Sequence, residues 1–326
     1  MRAVVISRPG GPEVLELREV PRPTPLRGEV RVHIRATAVN RADLLQRMGH
    51  YPAPFDAPQD IPGLEFAGEV DALGDAAGPW KEGDRVFGLA GGGTYSEAIV
   101  VHSRALARVP DRLTFEEAAA APEAFITAFD AMVTQARLGS GERVLVHAVG
   151  SGVGTAAVQI ARAIGARSLG TARTLPKIDR AKGLGLDEGI LVTEGQFARE
   201  VMRRTDEAGV DVVLELVGGR YLAEDLACAA LRARIVVVGH LAGARAELDL
   251  GDLLRKRITI VGTALRSRPL EEKLEAMQAF ARHVVPLLAS ATLRPVVDRT
   301  FPLSEAAAAH AYMATNDGFG KIVLTV

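Results

Sequence analysis

The chain has 326 residues, 48% of them apolar and 24% charged, with 39 Lys and Arg against 40 Asp and Glu. That length exceeds one ordinary core and predicts two domains, while the near-neutral charge excludes a global field that would draw the chain to nucleic acid or an anionic membrane. No apolar run approaches the roughly 18 residues of a membrane span and MRAVVISRPGGPEV lacks an apolar signal core, so a cytoplasmic location is expected; the single Cys228 excludes an intramolecular disulfide or a multi-thiolate zinc site.

From Met1 to about Pro110, short β-branched runs alternate with Gly, Pro and Asp turns, as in Glu29 to Val39, Phe66 to Ala72 and Tyr95 to Val101. A Gly/Pro-rich stretch, Tyr51 to Gly63, reads as a long loop, a kind of segment that often carries function. The alanine-rich segment from Thr114 to Gln135 has helical spacing, and beyond Gly141 strands and helices alternate as a parallel sheet requires. Strands are expected at Arg143 to Ala148, Ser168 to Ala172, Val210 to Glu215, Arg234 to Gly239 and near Ile258 to Val261. Helices are expected from Gly152 to Ile164, from Pro176, and from Pro269 to about Ala289. The segment Arg294 to Val326 returns to β texture with one helix at Ser304 to Tyr312, and is expected to rejoin the first domain. The fold class is therefore α/β: a doubly wound parallel sheet over residues 122–289, with a mostly β domain from residues 1–121 and 290–326.

The strand RVLVHA runs into Val149-Gly150-Ser151-Gly152-Val153-Gly154 and then into a helix whose apolar Ala157, Ile160, Ala161 and Ile164 share one face. Glycines there let the backbone turn tightly and approach a pyrophosphate, which the free N–H groups and the positive end of the helix dipole hold. The strict G-x-G-x-x-G spacing is not met, so the strand-to-helix setting carries the assignment. An NAD enzyme places an acidic residue about 20 residues further on; here the chain reads Gly170-Thr171-Ala172-Arg173-Thr174-Leu175-Pro176-Lys177. Arg173 and Lys177 without a carboxylate suit a 2′-phosphate, which favours NADPH over NADH. Gly218 and Gly239-His240-Leu241 follow expected strands, where open α/β sheets collect ligands. His33, His102, His147, His283 and His310 show no spacing of a shared metal site and read as structural.

PGGPEVL, NRADLLQRMGHY (Asn40 to Tyr51), GLEFAGEV (from Gly63), PEAFITAF (from Pro122), SGVGTAAVQIA (from Ser151), LRSR (from Leu265) and GKIVL (from Gly320) follow one another along nearly the whole chain. In these blocks the sequence resembles the quinone oxidoreductases, the zinc-free branch of the medium-chain dehydrogenase/reductase superfamily that includes zeta-crystallin. The blocks also resemble the tumour-suppressor-inducible type within that branch. The resemblance implies a Rossmann domain, a split GroES-like catalytic domain, NADPH as cofactor, a quinone or other electrophilic small molecule as acceptor, and a homodimer or homotetramer. It implies no nucleic-acid or membrane partner. Zinc-dependent relatives carry ligands where this chain has Asn40 or Arg41 and Leu64, and their cysteine-rich lobe is missing, so zinc-independent chemistry is expected.

The resemblance assigns Tyr51 to the nicotinamide pocket, where its hydroxyl could hydrogen-bond an acceptor oxygen as charge develops. Asn40 could orient substrate or ribose, though an Asn there also caps helices. Thr127 matches a threonine that contacts the nicotinamide end, Ser151 is expected beside the cofactor, and Arg266 and Lys321 are expected to reach its phosphate or nicotinamide end. Glu65 is expected to pair with Arg266. Ile190-Leu191-Val192-Thr193 stands where related chains often place an adenine-side tyrosine. Two other functions fit the same residues: an NADPH-dependent enoyl or alkenal double-bond reductase, and a non-catalytic NADPH-binding protein of the sensor or crystallin kind.

Overall fold

The structure, a computed structural model, describes residues 1–326. The chain divides into two compact units, Met1–Ile126 with Leu265–Val326, and Thr127–Ala264.

The first unit is built on a seven-stranded, mostly antiparallel sheet. Its order is Val297–Pro302, Lys321–Thr325, Glu29–Val39, Glu65–Leu73, Arg85–Leu89 and Leu106–Arg108, with Ala98–His102 also paired to Glu29–Val39. The C-terminal strand Lys321–Thr325 pairs antiparallel with Glu29–Val39, which stitches the tail into the N-terminal domain as expected. Alternation along Glu29–Val39 sends Val30, Val32 and Ile34 into a core with Phe66, Val70 and Val86, because successive strand side chains face opposite sides.

The second unit carries a six-stranded, wholly parallel sheet. Its order is Glu188–Leu191, Arg167–Ala172, Arg143–Val146, Val210–Glu215, Ala229–Val237 and Thr259–Gly262. The order reverses on either side of Arg143–Val146, so the carboxyl ends of that strand and of Val210–Glu215 form the switch point at which such sheets bind ligands. Strand Val210–Glu215 and helix Gly152–Ile164 match the sequence expectation to the residue.

Two expectations need correction. The units divide at Ile126/Thr127 and Ala264/Leu265, not near residues 121 and 290. The amphipathic helix Leu270–His283 packs within the first unit, where Phe280 stacks edge-on against Phe87 at 5.4 Å and Gln278 donates to the Arg104 carbonyl. Amphipathicity announced a buried face without saying what would cover it. The Thr114 to Gln135 segment is not one helix: it breaks at Pro122 into Phe115–Ala119 and Pro122–Phe129, followed by a wide π-turn over Asp130–Gln135. A proline at the first helical position starts a helix but cannot continue one.

Candidate functional sites

In the first unit the anchor is Glu65, at the start of its strand and fully buried. Its Oε1 accepts from Lys321 Nζ at 2.7 Å and from Asn40 Nδ2 at 2.9 Å, and its Oε2 accepts from the Glu123 amide at 2.8 Å. Lys321 Nζ also donates to Asn40 Oδ1 at 2.6 Å and to the Val39 carbonyl at 3.1 Å. An ammonium has three donors, and all three are taken within the protein. Lys321 therefore spends all its donors within the protein and holds a buried carboxylate. Asn40 sits at the N-cap of helix Arg41–Arg47 with its side chain bound into the same cluster.

Arg266 is buried as well, and Glu65 is not its partner. It donates to Gln46 Oε1 at 2.5 Å, to the Gly91 carbonyl at 2.8 Å and to the Tyr51 carbonyl at 3.3 Å, and its guanidinium carbon lies 5.2 Å from the Tyr51 ring centroid. The expected Arg266–Glu65 pair fails: sequence offered two cations for one carboxylate, and the register that brings Lys321 beside Val39 chose the other. Tyr51 is half-buried with its hydroxyl free of hydrogen bonds within the chain, and burial pushes that hydroxyl's pKa up.

Two groups around this cluster escaped the sequence reading. Loss of solvation, followed by the negative charge of Glu65, pushes the Glu123 carboxyl up to about 7. Asp43 is fully buried and burial raises it to about 6; it accepts from the Asn40 amide, from Gly63 N and from the Tyr95 hydroxyl. Tyr95 in turn meets His310 Nε2 at 3.1 Å, and Arg47 meets His310 Nδ1 at 3.4 Å. With Arg47 donating to Nδ1, Nε2 carries the proton, so His310 is neutral; burial and then Arg47 lower it to about 3.

The second unit holds the glycine turn. Ser151 is the N-cap of helix Gly152–Ile164, its Oγ accepting from the Gly154 amide at 3.0 Å, so its side chain is spent on the helix start. A Cβ on Gly154 would lie 2.3 Å from the Ala148 carbonyl oxygen, the close helix-to-strand approach that a dinucleotide turn requires. Gly150, Gly152 and Val153 lie in the same turn. Gly218 follows strand Val210–Glu215 with φ of 71°, and a Cβ there would meet His240 Cα at 2.6 Å. Gly239 approaches the Leu216 carbonyl as closely, so these two neighbouring turns pack backbone against backbone. His240 and Leu241 are exposed beside them. Arg173 is exposed at the carboxyl end of the second strand, Lys177 is half-buried in the first turn of helix Leu175–Lys182, and Thr127 is half-buried on helix Pro122–Phe129. Leu191 and Thr193 are exposed at the end of strand Glu188–Leu191 and just beyond it.

An alcohol dehydrogenase GroES-like domain model matches residues 26–111, and a zinc-binding dehydrogenase model matches residues 152–282. The human quinone oxidoreductase is 33% identical over 99% of this chain and 97% of its own. The chain belongs to the quinone oxidoreductase family of the medium-chain dehydrogenase/reductases. Among solved structures this family member is similar to a mycobacterial protein complexed with NADPH, at a TM-score of 0.89 and 29% identity over 100% of both chains. It is equally similar in sequence to the CurK enoyl reductase, at a TM-score of 0.87 and 29% identity over 99% of this chain and 98% of the other. No helix is long and apolar enough to cross a membrane.

Proposed function

We propose that this enzyme reduces quinones with NADPH and without a metal. The observation that carries the reading is the end-to-end likeness to a curated quinone oxidoreductase. When bound, NADPH supplies the hydride. Gly150 to Gly154, Gly218 and Gly239 give the turns that admit its pyrophosphate, and Arg173, with no carboxylate from Gly170 to Lys177, suits the 2′-phosphate. The likeness to a structure solved with NADPH supports that choice.

Zinc does not fit the first unit's donor set. Leu64 is apolar and buried, Asn40 is bound to Glu65 and Lys321, and Glu65 already holds an ammonium at 2.7 Å. A quinone oxygen gaining charge would instead meet the Tyr51 hydroxyl, kept protonated by its burial and fixed through its carbonyl by Arg266. Glu123, poised near 7 and felt electrostatically by both Tyr51 and Arg266, is a reservoir for the proton that the reduced acceptor takes up.

The likeness to an enoyl reductase favours a second reading, reduction of an activated carbon–carbon double bond. NADPH oxidation measured across ortho-quinones, para-quinones, enals and enoyl thioesters separates them. Turnover of quinones is expected; turnover confined to enals or enoyl thioesters would establish the second reading, and NADPH binding without any turnover a non-catalytic role.

A further inference from the structure

At the switch point of the parallel sheet lies a second cluster of titratable groups, which the reading above does not use. His147 directly follows strand Arg143–Val146, Glu215 ends strand Val210–Glu215, and Asp225 sits in helix Tyr221–Cys228; all three are fully buried. The imidazole is held from both sides, Nδ1 at 2.8 Å from Thr171 Oγ1 and Nε2 at 2.8 Å from Asp225 Oδ1. Rings of Phe197 and Tyr221 pack on it at 4.8 and 5.0 Å. Glu215 Oε1 accepts from the amides of Val217 and Gly218, and so shapes the turn that carries Gly218 and Gly219. The remaining oxygens, Glu215 Oε2 and Asp225 Oδ2, are buried and have no hydrogen-bond partner, Glu215 Oε2 lies 3.8 Å from His147 Nε2, and one oxygen of each carboxylate lies with a His147 nitrogen in a group whose atoms are all within 4.8 Å of one another.

Two bare carboxylates in such a place would be costly unless something positive joins them. With Thr171 donating to Nδ1 and Nε2 donating to Asp225, the imidazole is neutral, and burial pulls its pKa down to about 4. No Lys or Arg enters the cluster. Among charged groups of the packed elements, Glu224 adds to the negative field at Asp225, Lys256 acts on Cys228, and Arg173 and Arg220 act on Tyr221. The candidates are then a metal ion or a proton. Around a tetrahedral ion with ligand bonds near 2.1 Å, donors stand roughly 3.4 Å apart. The 2.8 Å between His147 Nε2 and Asp225 Oδ1 is a hydrogen bond with no room for an ion between its atoms.

We infer that one proton is shared between Glu215 and Asp225, and that Glu215, through this bond, is a positioning residue for the Val217–Gly219 turn of the dinucleotide site. The use of that turn rests on the proposed function; the shared proton does not. The low-dielectric site raises both carboxyls to about 7, so the proton leaves as pH rises above neutrality. Without it the two anions repel, Glu215 shifts, and the turn loses its support. Groups facing the pair are His147 and Thr171 from other elements, and Tyr221, Glu224 and Cys228 from the helix of Asp225 itself. None of them replaces the proton, since His147 is neutral throughout this range.

The test is NADPH affinity by fluorescence titration between pH 6 and 9, for wild type, Glu215→Gln and Asp225→Asn, with the infrared carbonyl band of a protonated carboxyl followed in cofactor-free protein. Each amide keeps an acceptor and supplies a permanent donor in place of the proton. Wild-type affinity is expected to fall about tenfold per pH unit above the pair's pKa, as binding linked to one proton requires, and both variants are expected to flatten that slope. Because Glu123 and Asp43 titrate in or near the same range, the band is read as the difference between wild type and Glu215→Gln: a component present at pH 6 and lost toward pH 9 should belong to wild type alone, while the Glu123 component is common to both. Unaltered slopes in both variants, no titrating infrared component that Glu215→Gln removes, or one divalent ion per chain that Glu215→Gln releases would overturn the inference. Should wild type bind neither NADPH nor NADH at any pH, the proposed function fails, and the infrared band still decides the shared proton.

Discussion

In the first unit the buried carboxylate of Glu65 meets the ammonium of Lys321 at 2.7 Å, whereas in the second unit Glu215 and Asp225 are just as buried and meet a neutral imidazole and backbone amides. One unit balances a deep anion with a permanent cation, the other with a proton. The first arrangement holds at any ordinary pH, since each donor of Lys321 and each oxygen of Glu65 is engaged. The second can be undone by base. The unit with the fixed cation frames Tyr51, the donor of the proposed reaction, while the unit with the exchangeable proton frames the turn proposed to receive the dinucleotide.

The largest effect should come from removing the fixed cation. Lys321→Met leaves Glu65 buried and unpaired, a loss of about 3–5 kcal/mol in urea unfolding. Glu215→Gln, which substitutes an amide for a carboxyl already sharing a proton, should cost less than about 1.5 kcal/mol at pH 7. Equal losses would erase the distinction between the units. Next in size is Tyr51→Phe, which keeps the ring over Arg266 and removes the hydroxyl. Turnover with a quinone at saturating NADPH should fall, by up to about 10²- to 10³-fold if that hydroxyl stabilises developing charge, and unchanged turnover would make Tyr51 a packing residue.

A smaller effect tests the exposed cation of the second unit. Arg173→Ala should weaken NADPH by about 1.5–3 kcal/mol, the contribution of a charge-assisted hydrogen bond, and NADH hardly at all. Parallel losses for both dinucleotides would remove Arg173 from phosphate recognition. The smallest concerns His310, whose pKa is depressed from 6.5 to about 3. A base lowered on folding contributes stability above its unfolded pKa and loses it as pH falls from 6.5 toward 3, while Asp43, raised from 3.8 to about 6, acts in the opposite sense over an overlapping range. His310→Gln should therefore flatten the acid side of the stability profile, by at most about 1.4 kcal/mol per pH unit. An acid limb as steep as that of wild type would mean that His310 protonates freely in the folded chain.

Much of the fold was legible because its signals are local. The run from RVLVHA through Gly154 contains the strand, the turn and the helix start within one short segment, and the return of β texture after Arg294 foretold the strand that pairs with Glu29–Val39. Short elements were missed: strand Glu188–Leu191 and helices Ala198–Arg204 and Tyr221–Cys228 carry too few turns or alternations to announce a period. The site was legible in its residue types and less so in its pairings. Asn40, Tyr51, Arg266 and Lys321 were all singled out, yet which cation takes Glu65 depends on strand register between distant parts of the chain. His147 looked like an isolated core histidine, because the carboxylates beside it arrive from a strand end and a helix far along the sequence. Glu123 lay hidden in an alanine-rich helix, with nothing nearby in sequence to mark the burial that raises its pKa.

The central proposal, that the enzyme reduces quinones with NADPH and without zinc through a Tyr51 donor beside a Lys321-neutralised Glu65, is tested most directly by measuring quinone reduction with NADPH before and after exhaustive chelation, with zinc content determined on the same samples. The account predicts no stoichiometric zinc and the same turnover in both. One zinc per chain, with turnover lost on chelation and restored by adding the metal back, would contradict it.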